Sequence, residues 1–117
     1  MSAELVFKIV ADAEWDGVAE AYHGSADDRR DGFLHFSTGP QLMETLARHY
    51  AGRDHLLLLA VEAKSLAPKL KWEYAPSRGE DFPHLYGPLP KSAVLWIKPL
   101  RKKDGRFVLP EGVEASP

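Results

Sequence analysis

Asp31-Gly32-Phe33-Leu34-His35-Phe36-Ser37-Thr38 is the stretch on which the fold turns. Its apolar residues read as a buried strand, and on a pleated strand His35 and Ser37 point to the same face. Both can then reach one ligand while Phe33 and Phe36 serve packing. A second histidine segment follows in Phe82-Pro83-His84-Leu85-Tyr86-Gly87, with Tyr86 on the face of His84 when extended. His35 and His84 each sit among apolar or aromatic neighbours, so their ring nitrogens need partners inside the fold. A ligand satisfies that need, and so does a backbone group or Ser37. Tyr86 offers a ring face for stacking, or for core packing beside Pro83 and Pro88.

Downstream of the first segment, Thr38-Gly39-Pro40-Gln41 resembles a capping box, with Pro40 in the first turn and Gln41 three residues after Thr38. The strand is therefore expected to run directly into a helix with Leu42, Leu46 and Tyr50 on its buried side and Ala51-Gly52 as its stop. The open N–H groups at that helix start, beside Ser37, favour an anion such as phosphate. Upstream, Leu5 to Val10 predicts a strand buried on both faces. Asp12 is the expected N-cap of a helix carrying Trp15, Val18, Ala19 and Tyr22 on one stripe. Ser25 to Asp31, rich in Asp27, Asp28, Arg29 and Arg30, reads as an exposed loop.

The second half reads as strands. His55 to Val61 predicts a central strand, Ala63 to Ala67 a short turn, and Leu70 to Tyr74 a strand with Leu70, Trp72 and Tyr74 on one face and Lys71 with Glu73 on the other. Pro76 to Asp81 is a polar loop of the kind that covers sites. Ala93 to Ile97 and Arg106 to Leu109 are the last expected strands, the latter paired across Lys103-Asp104-Gly105. Pro110 to Pro117 looks frayed. Two early helices, late strands and no βαβ alternation favour an α+β fold with one domain over residues 1–117.

The chain has 117 residues, 44% of them hydrophobic and 27% charged, an ordinary globular composition. A formal net charge of −2 gives no electrostatic reason to bind nucleic acid or an anionic membrane. The local basic cluster Lys98, Arg101, Lys102 and Lys103 reads as a solvated turn between late strands. The absence of cysteine excludes disulfides, thiolate catalysis and sulfur-ligated metal sites. The start Met1-Ser2-Ala3-Glu4 is neither basic nor apolar, and the run Leu56 to Val61 cannot cross a bilayer, so the cytoplasm is the expected location.

Several chemistries fall away on spacing. Gly32, Gly39 and Gly52 are isolated and form no phosphate-binding fingerprint. Ser37 lacks the flanking glycines of a nucleophile elbow. His35, His84, Asp31 and Glu73 are the available metal ligands, but no two histidines lie four apart on a helix, and no metal is expected. His23, His49 and His55 fall at element ends with surface roles. Glu73 with Glu80 is a candidate acid/base pair. The residues expected to act are His35, Ser37, His84 and Glu73, with Thr38, Tyr86, Lys71 and Arg78 as ligand contacts.

Trp15 and Tyr22, the Asp31-to-Thr38 segment, Gln41, the Leu56-to-Val61 strand, Lys71-Trp72-Glu73 and Phe82-Pro83-His84-Leu85-Tyr86-Gly87-Pro88-Leu89 together resemble the domain of unknown function 952 family. The resemblance covers nearly the whole chain. It implies a small cytoplasmic protein similar in fold to ADP-ribosyltransferases, with a split, strongly bent and mostly antiparallel β core around a cleft. One class of that superfamily holds the ribose of NAD with an early-strand histidine followed two residues later by a small or hydroxyl residue, a pattern His35 and Ser37 match. The class also stacks a tyrosine on nicotinamide, for which Tyr50 and Tyr86 are available. It further uses a late glutamate, and Ala93 to Ile97 holds none. On this basis the expected function is a cleft for a nucleotide-like small molecule, NAD or ADP-ribose, with transfer chemistry in which Glu73 is the general base. The alternatives are a noncatalytic small-molecule or protein-interaction module, and a small hydrolase using His35 and His84.

Overall fold

A computed structural model describes residues 4–113. Strand β1 (Leu5–Ala11) pairs antiparallel with β4 (Leu56–Glu62), and β4 pairs on its other edge with β8 (Val94–Pro99), giving the order β1-β4-β8. Apolar character on both faces of β1 follows from its position between two hydrophobic layers. Val6 and Val10 join Leu59, Val61, Leu34, Phe36 and Leu85 on one side. Phe7 and Ile9 join Leu58, Leu42 and Leu46 on the other. Leu42 and Leu46 are fully buried, one turn apart on helix α3 (Leu42–His49), so they fix the single stripe by which that helix packs.

A second antiparallel sheet has the order β3-β6-β5, with β3 (Leu34–His35), β5 (Leu70–Ala75) and β6 (Glu80–Leu85). The chain leaving β3 stitches the two sheets together. The Phe36 N–H donates to the Pro83 carbonyl at 3.0 Å, and Ser37 and Phe7 exchange two backbone hydrogen bonds at 2.8 and 2.9 Å. Two ribbons complete the strands: β2 (Ala21–Tyr22) with β7 (Leu89–Pro90), and β9 (Arg101–Lys103) with β10 (Arg106–Val108). The architecture is mixed α+β with every strand pair antiparallel, as expected from the sequence.

Several local expectations are corrected. The first helix, α1, spans only Asp12–Asp16, and Ala11 rather than Asp12 is its cap, with the Glu14 carboxylate accepting from the Ala11 N–H at 3.4 Å. Trp15 and Tyr22 still meet, 6.1 Å between ring centroids, but from a helix and a strand. The supposed exposed loop is helix α2 (Ala26–Asp31), because Ser25 and Asp28 form a reciprocal cap: Asp28 N–H to Ser25 Oγ at 3.2 Å, Ser25 N–H to Asp28 Oδ2 at 3.0 Å. Early helices therefore number three, not two, among the described residues.

The loop after β5 ends at Gly79, and Glu80 and Asp81 belong to β6, paired with Ala75 and Tyr74. Arg101 to Lys103 is a strand rather than a solvated turn: Lys102 pairs with Asp54 at 3.2 Å and lies over the Phe107 ring. The tail does not fray at Pro110, since Val113 is buried in the second hydrophobic layer; the remainder of that expectation, residues 114–117, lies outside the described residues. No helix among the described residues is long and apolar enough to cross a membrane.

Candidate functional site

In the second sheet His35 is the direct cross-strand partner of His84, and His84 in turn faces Lys71 on β5. Directly opposed residues share a face, and so do residues two apart on one strand. His35, Phe82, His84, Lys71 and Glu73 consequently lie on one side of the sheet, and Tyr86 continues that row just past β6. The two imidazole centroids are 5.7 Å apart. Phe33, assigned by sequence to packing alone, stacks on His84 at 4.0 Å and contacts Tyr86 at 5.3 Å.

The two histidines are held differently. His84 Nδ1 lies 2.8 Å from Glu73 Oε1, and the Tyr86 hydroxyl donates to the same oxygen at 2.7 Å. Those two hydrogen bonds hold the Glu73 carboxyl below the usual glutamate range, and the same carboxylate pushes the Tyr86 phenol up. His84 Nε2 has no hydrogen-bond partner among the described residues. His35, by contrast, has Nδ1 at 2.6 Å from Asp28 Oδ1 and Nε2 at 2.9 Å from Asp31 Oδ2.

Asp28 is the residue the sequence reading missed. Its Oδ1 accepts from the His35 N–H and Nδ1, and its Oδ2 from the Ser25 N–H and from Lys8 Nζ at 3.0 Å. Burial pushes this carboxyl up, but the His35 hydrogen bond and the Lys8 charge outweigh it and hold Asp28 well below the ordinary range. Two signals in the sequence pointed to it: Lys8, a lone cation in an apolar strand, needs a buried partner, and Ser25-x-x-Asp28 is a helix-start pattern.

A cleft of about 660 Å³ opens beside this row. His35, Ser37, His84 and Arg78 line it, together with Thr45 and His49 of α3 and the following Tyr50 and Arg53. Burial pushes the Tyr50 phenol up to about 12. The Ser37 and Thr45 hydroxyls are 3.2 Å apart. Thr38, Lys71, Glu73 and Tyr86 do not line the cleft. Glu73 and Tyr86 act on it only through His84, and Lys71 lies over the Tyr86 ring, 5.6 Å from its centroid. The helix start at Thr38 to Leu42, where the sequence favours an anion, does not line the cleft. Gln41 Oε1 takes the Thr38 N–H at 2.9 Å while Gln41 Nε2 donates to the Asp81 carbonyl at 2.8 Å, and α3 presents its later residues to the cleft. Glu80 bonds Gln41 at 3.2 Å and forms no pair with Glu73. Among the described residues no three His, Asp or Glu side chains are grouped to hold a metal ion.

The profile of a family described as "Protein of unknown function (DUF952)" matches residues 9–97, which includes the end of β1, both histidine segments and α3. The chain belongs to this family. The DUF952 protein is similar to CC0527 of Caulobacter crescentus, whose crystal structure shares 44% identity at a TM-score of 0.83, over 89% of this chain and 93% of that one. A solution NMR structure of CC0527 matches with 43% identity and a TM-score of 0.78, over 88% and 90% of the two chains. No curated protein matches this DUF952 chain.

Proposed function

We propose that this DUF952 protein binds a nucleotide-like ligand of the NAD or ADP-ribose class in the cleft and that His84 exchanges a proton with it. The observation that carries this reading is the Glu73–His84 pair: a carboxylate fixes Nδ1 and leaves Nε2 unpartnered in a residue that lines the cleft. That is the arrangement by which an imidazole becomes an oriented acid–base group. The volume falls in the range of roughly 300–1,000 Å³ common for small-molecule and cofactor sites, and Tyr50 and Phe82 supply ring surfaces for a base or nicotinamide. Two antiparallel sheets joined beside the cleft are consistent with the split β core that the ADP-ribosyltransferase resemblance implies.

The geometry redistributes the roles. His35 faces Asp28 with Nδ1 and Asp31 with Nε2, so neither ring nitrogen is left to hydrogen-bond the ribose. Glu73 orients His84 rather than acting as the base itself. In a transfer reaction the ring would take the proton of an acceptor hydroxyl at Nε2 as that oxygen bonds to the ribose C1′ carbon and the C1′–nicotinamide bond breaks to release nicotinamide, and Ser37 would contact the sugar.

Calorimetric titration with NAD, ADP-ribose, nicotinamide and nucleoside phosphates, alongside an assay of nicotinamide release, tests the proposal. Saturable binding with turnover lost in His84→Ala supports the enzyme. Saturable binding without turnover leaves a noncatalytic binding module, and no binding of any of these compounds rejects the nucleotide reading.

A further inference from the structure

We propose that Arg78 is the anion-receiving end of the cleft, the point at which a phosphate group of the ligand is held. This rests on the cleft being a ligand site, as argued above. The Arg78 side chain is only 6% exposed, yet its donors are poorly matched. Nη2 donates to Thr45 Oγ1 at 3.1 Å and, at 3.5 Å, to the Gln41 carbonyl. Nε is buried without a hydrogen bond. That Nε forms only an ion pair, at 3.4 Å to Glu44 Oε1, with a half-exposed side chain whose other oxygen pairs with Arg48 at 2.9 Å.

A buried guanidinium in this state is costly unless something else neutralises it. The Phe82 ring, 4.4 Å from the guanidinium carbon, covers one side and gives partial compensation. The cleft borders the residue, and the Ser37–Thr45 hydroxyl pair stands on the same wall. The negative groups of the lining are engaged elsewhere: Asp28 and Asp31 on His35, Asp27 on Arg30, Glu14 on the Ala11 N–H. Arg53 and His49 of the lining add further donors near α3. A planar fork with unspent donors, flanked by hydroxyls, matches a phosphate better than a neutral ligand. The ligand is thereby oriented, phosphate toward α3 and sugar toward His84.

The side-chain Nε–H signal of Arg78 in ¹⁵N NMR is a direct reporter. Titration of the full chain with inorganic phosphate, adenosine, AMP and ADP-ribose is expected to give a saturable shift of that signal with phosphate, AMP and ADP-ribose and none with adenosine. Arg78→Lys, which keeps the charge and loses the fork, should weaken AMP binding by about tenfold or more. If ADP-ribose perturbs His84 but leaves Arg78 Nε–H unmoved, this inference fails and the nucleotide reading stands. A saturable phosphate shift at Arg78 without nucleotide binding supports the anion site and rejects the nucleotide. A non-saturating shift that chloride reproduces means an adventitious ion only and overturns the proposal, as does no shift at all. The wild-type titration decides between these outcomes even if the variant does not fold.

Discussion

Lys8 Nζ lies 3.0 Å from Asp28 Oδ2, with side-chain exposures of only 3% and 2%. This ion pair anchors α2 to strand β1, and through Asp28 it also reaches His35. Removing one partner leaves the other charged and buried, which typically costs about 3–5 kcal/mol. Asp28→Asn and Lys8→Met should each lower unfolding stability by that order in urea titrations, and the double variant should lose far less than the sum. Additive losses would show that the two charges do not stabilise each other.

Acid should weaken the fold through the same carboxylate. Asp28 is held below its unfolded value, so its contribution is present above about pH 4 and is lost as pH falls through the folded value. Asp31, lowered by Arg30 and then His35, and Glu73, lowered by Tyr86 and His84, act with the same sign but are exposed and add little. Thermal unfolding followed from pH 6 to pH 2 is expected to show a falling midpoint below about pH 4, and a flatter profile in Asp28→Asn. An unchanged slope in that variant would move the acid sensitivity elsewhere.

Gly24 should tolerate no side chain. Its φ is +109°, and a Cβ there would stand 2.8 Å from both Asp28 Cβ and Leu34 Cδ2. Gly24→Ala therefore combines backbone strain with a collision against the buried carboxylate, and the expected loss is about 2–5 kcal/mol by chemical denaturation. A variant as stable as wild type would mean that α2 can shift without cost.

Under the proposed function, variants of His84 and Glu73 separate chemistry from binding. If the protein turns over NAD, His84→Ala should reduce kcat by about 10²–10⁴. Glu73→Gln should leave His84 present but without a fixed tautomer, which ¹⁵N spectra of the ring report directly. Retention of a single Nδ1–H tautomer in Glu73→Gln would remove Glu73 from its orienting role.

Strands β1, β4 and β8 and helix α3 were legible because local patterns and burial agree there: apolar runs for strands between two hydrophobic layers, and a Leu42–Leu46 stripe for the helix. Helix α2 was hidden because its six residues carry almost no apolar signal. Only the Ser25–Asp28 reciprocal cap and the stranded charge of Lys8 betray it. The period-two reading of β5 placed Lys71 and Glu73 on one face, but only the cross-strand register reveals that this is the face of His35 and His84. Tyr22 was assigned to a helix stripe because spacings of three, four and seven also fit a chain that turns after Asp16 and returns as a strand. The role of His35 could not be read from its own neighbours, since both of its partners lie in the segment taken for a loop.

The Ser37–Phe7 exchange and the Phe36–Pro83 hydrogen bond have a mechanical meaning. They lie where the two sheets meet, next to a cleft whose lining includes Phe7, Phe36 and Ser37 themselves. The walls on this side thus belong to the stitching of the core. Widening the cleft here would mean unpicking backbone pairs of β1, a strand buried over most of its length. Any ligand of the proposed site would meet a mould already set during folding, and its selectivity on this wall would be written into the architecture rather than into the movement of a flap.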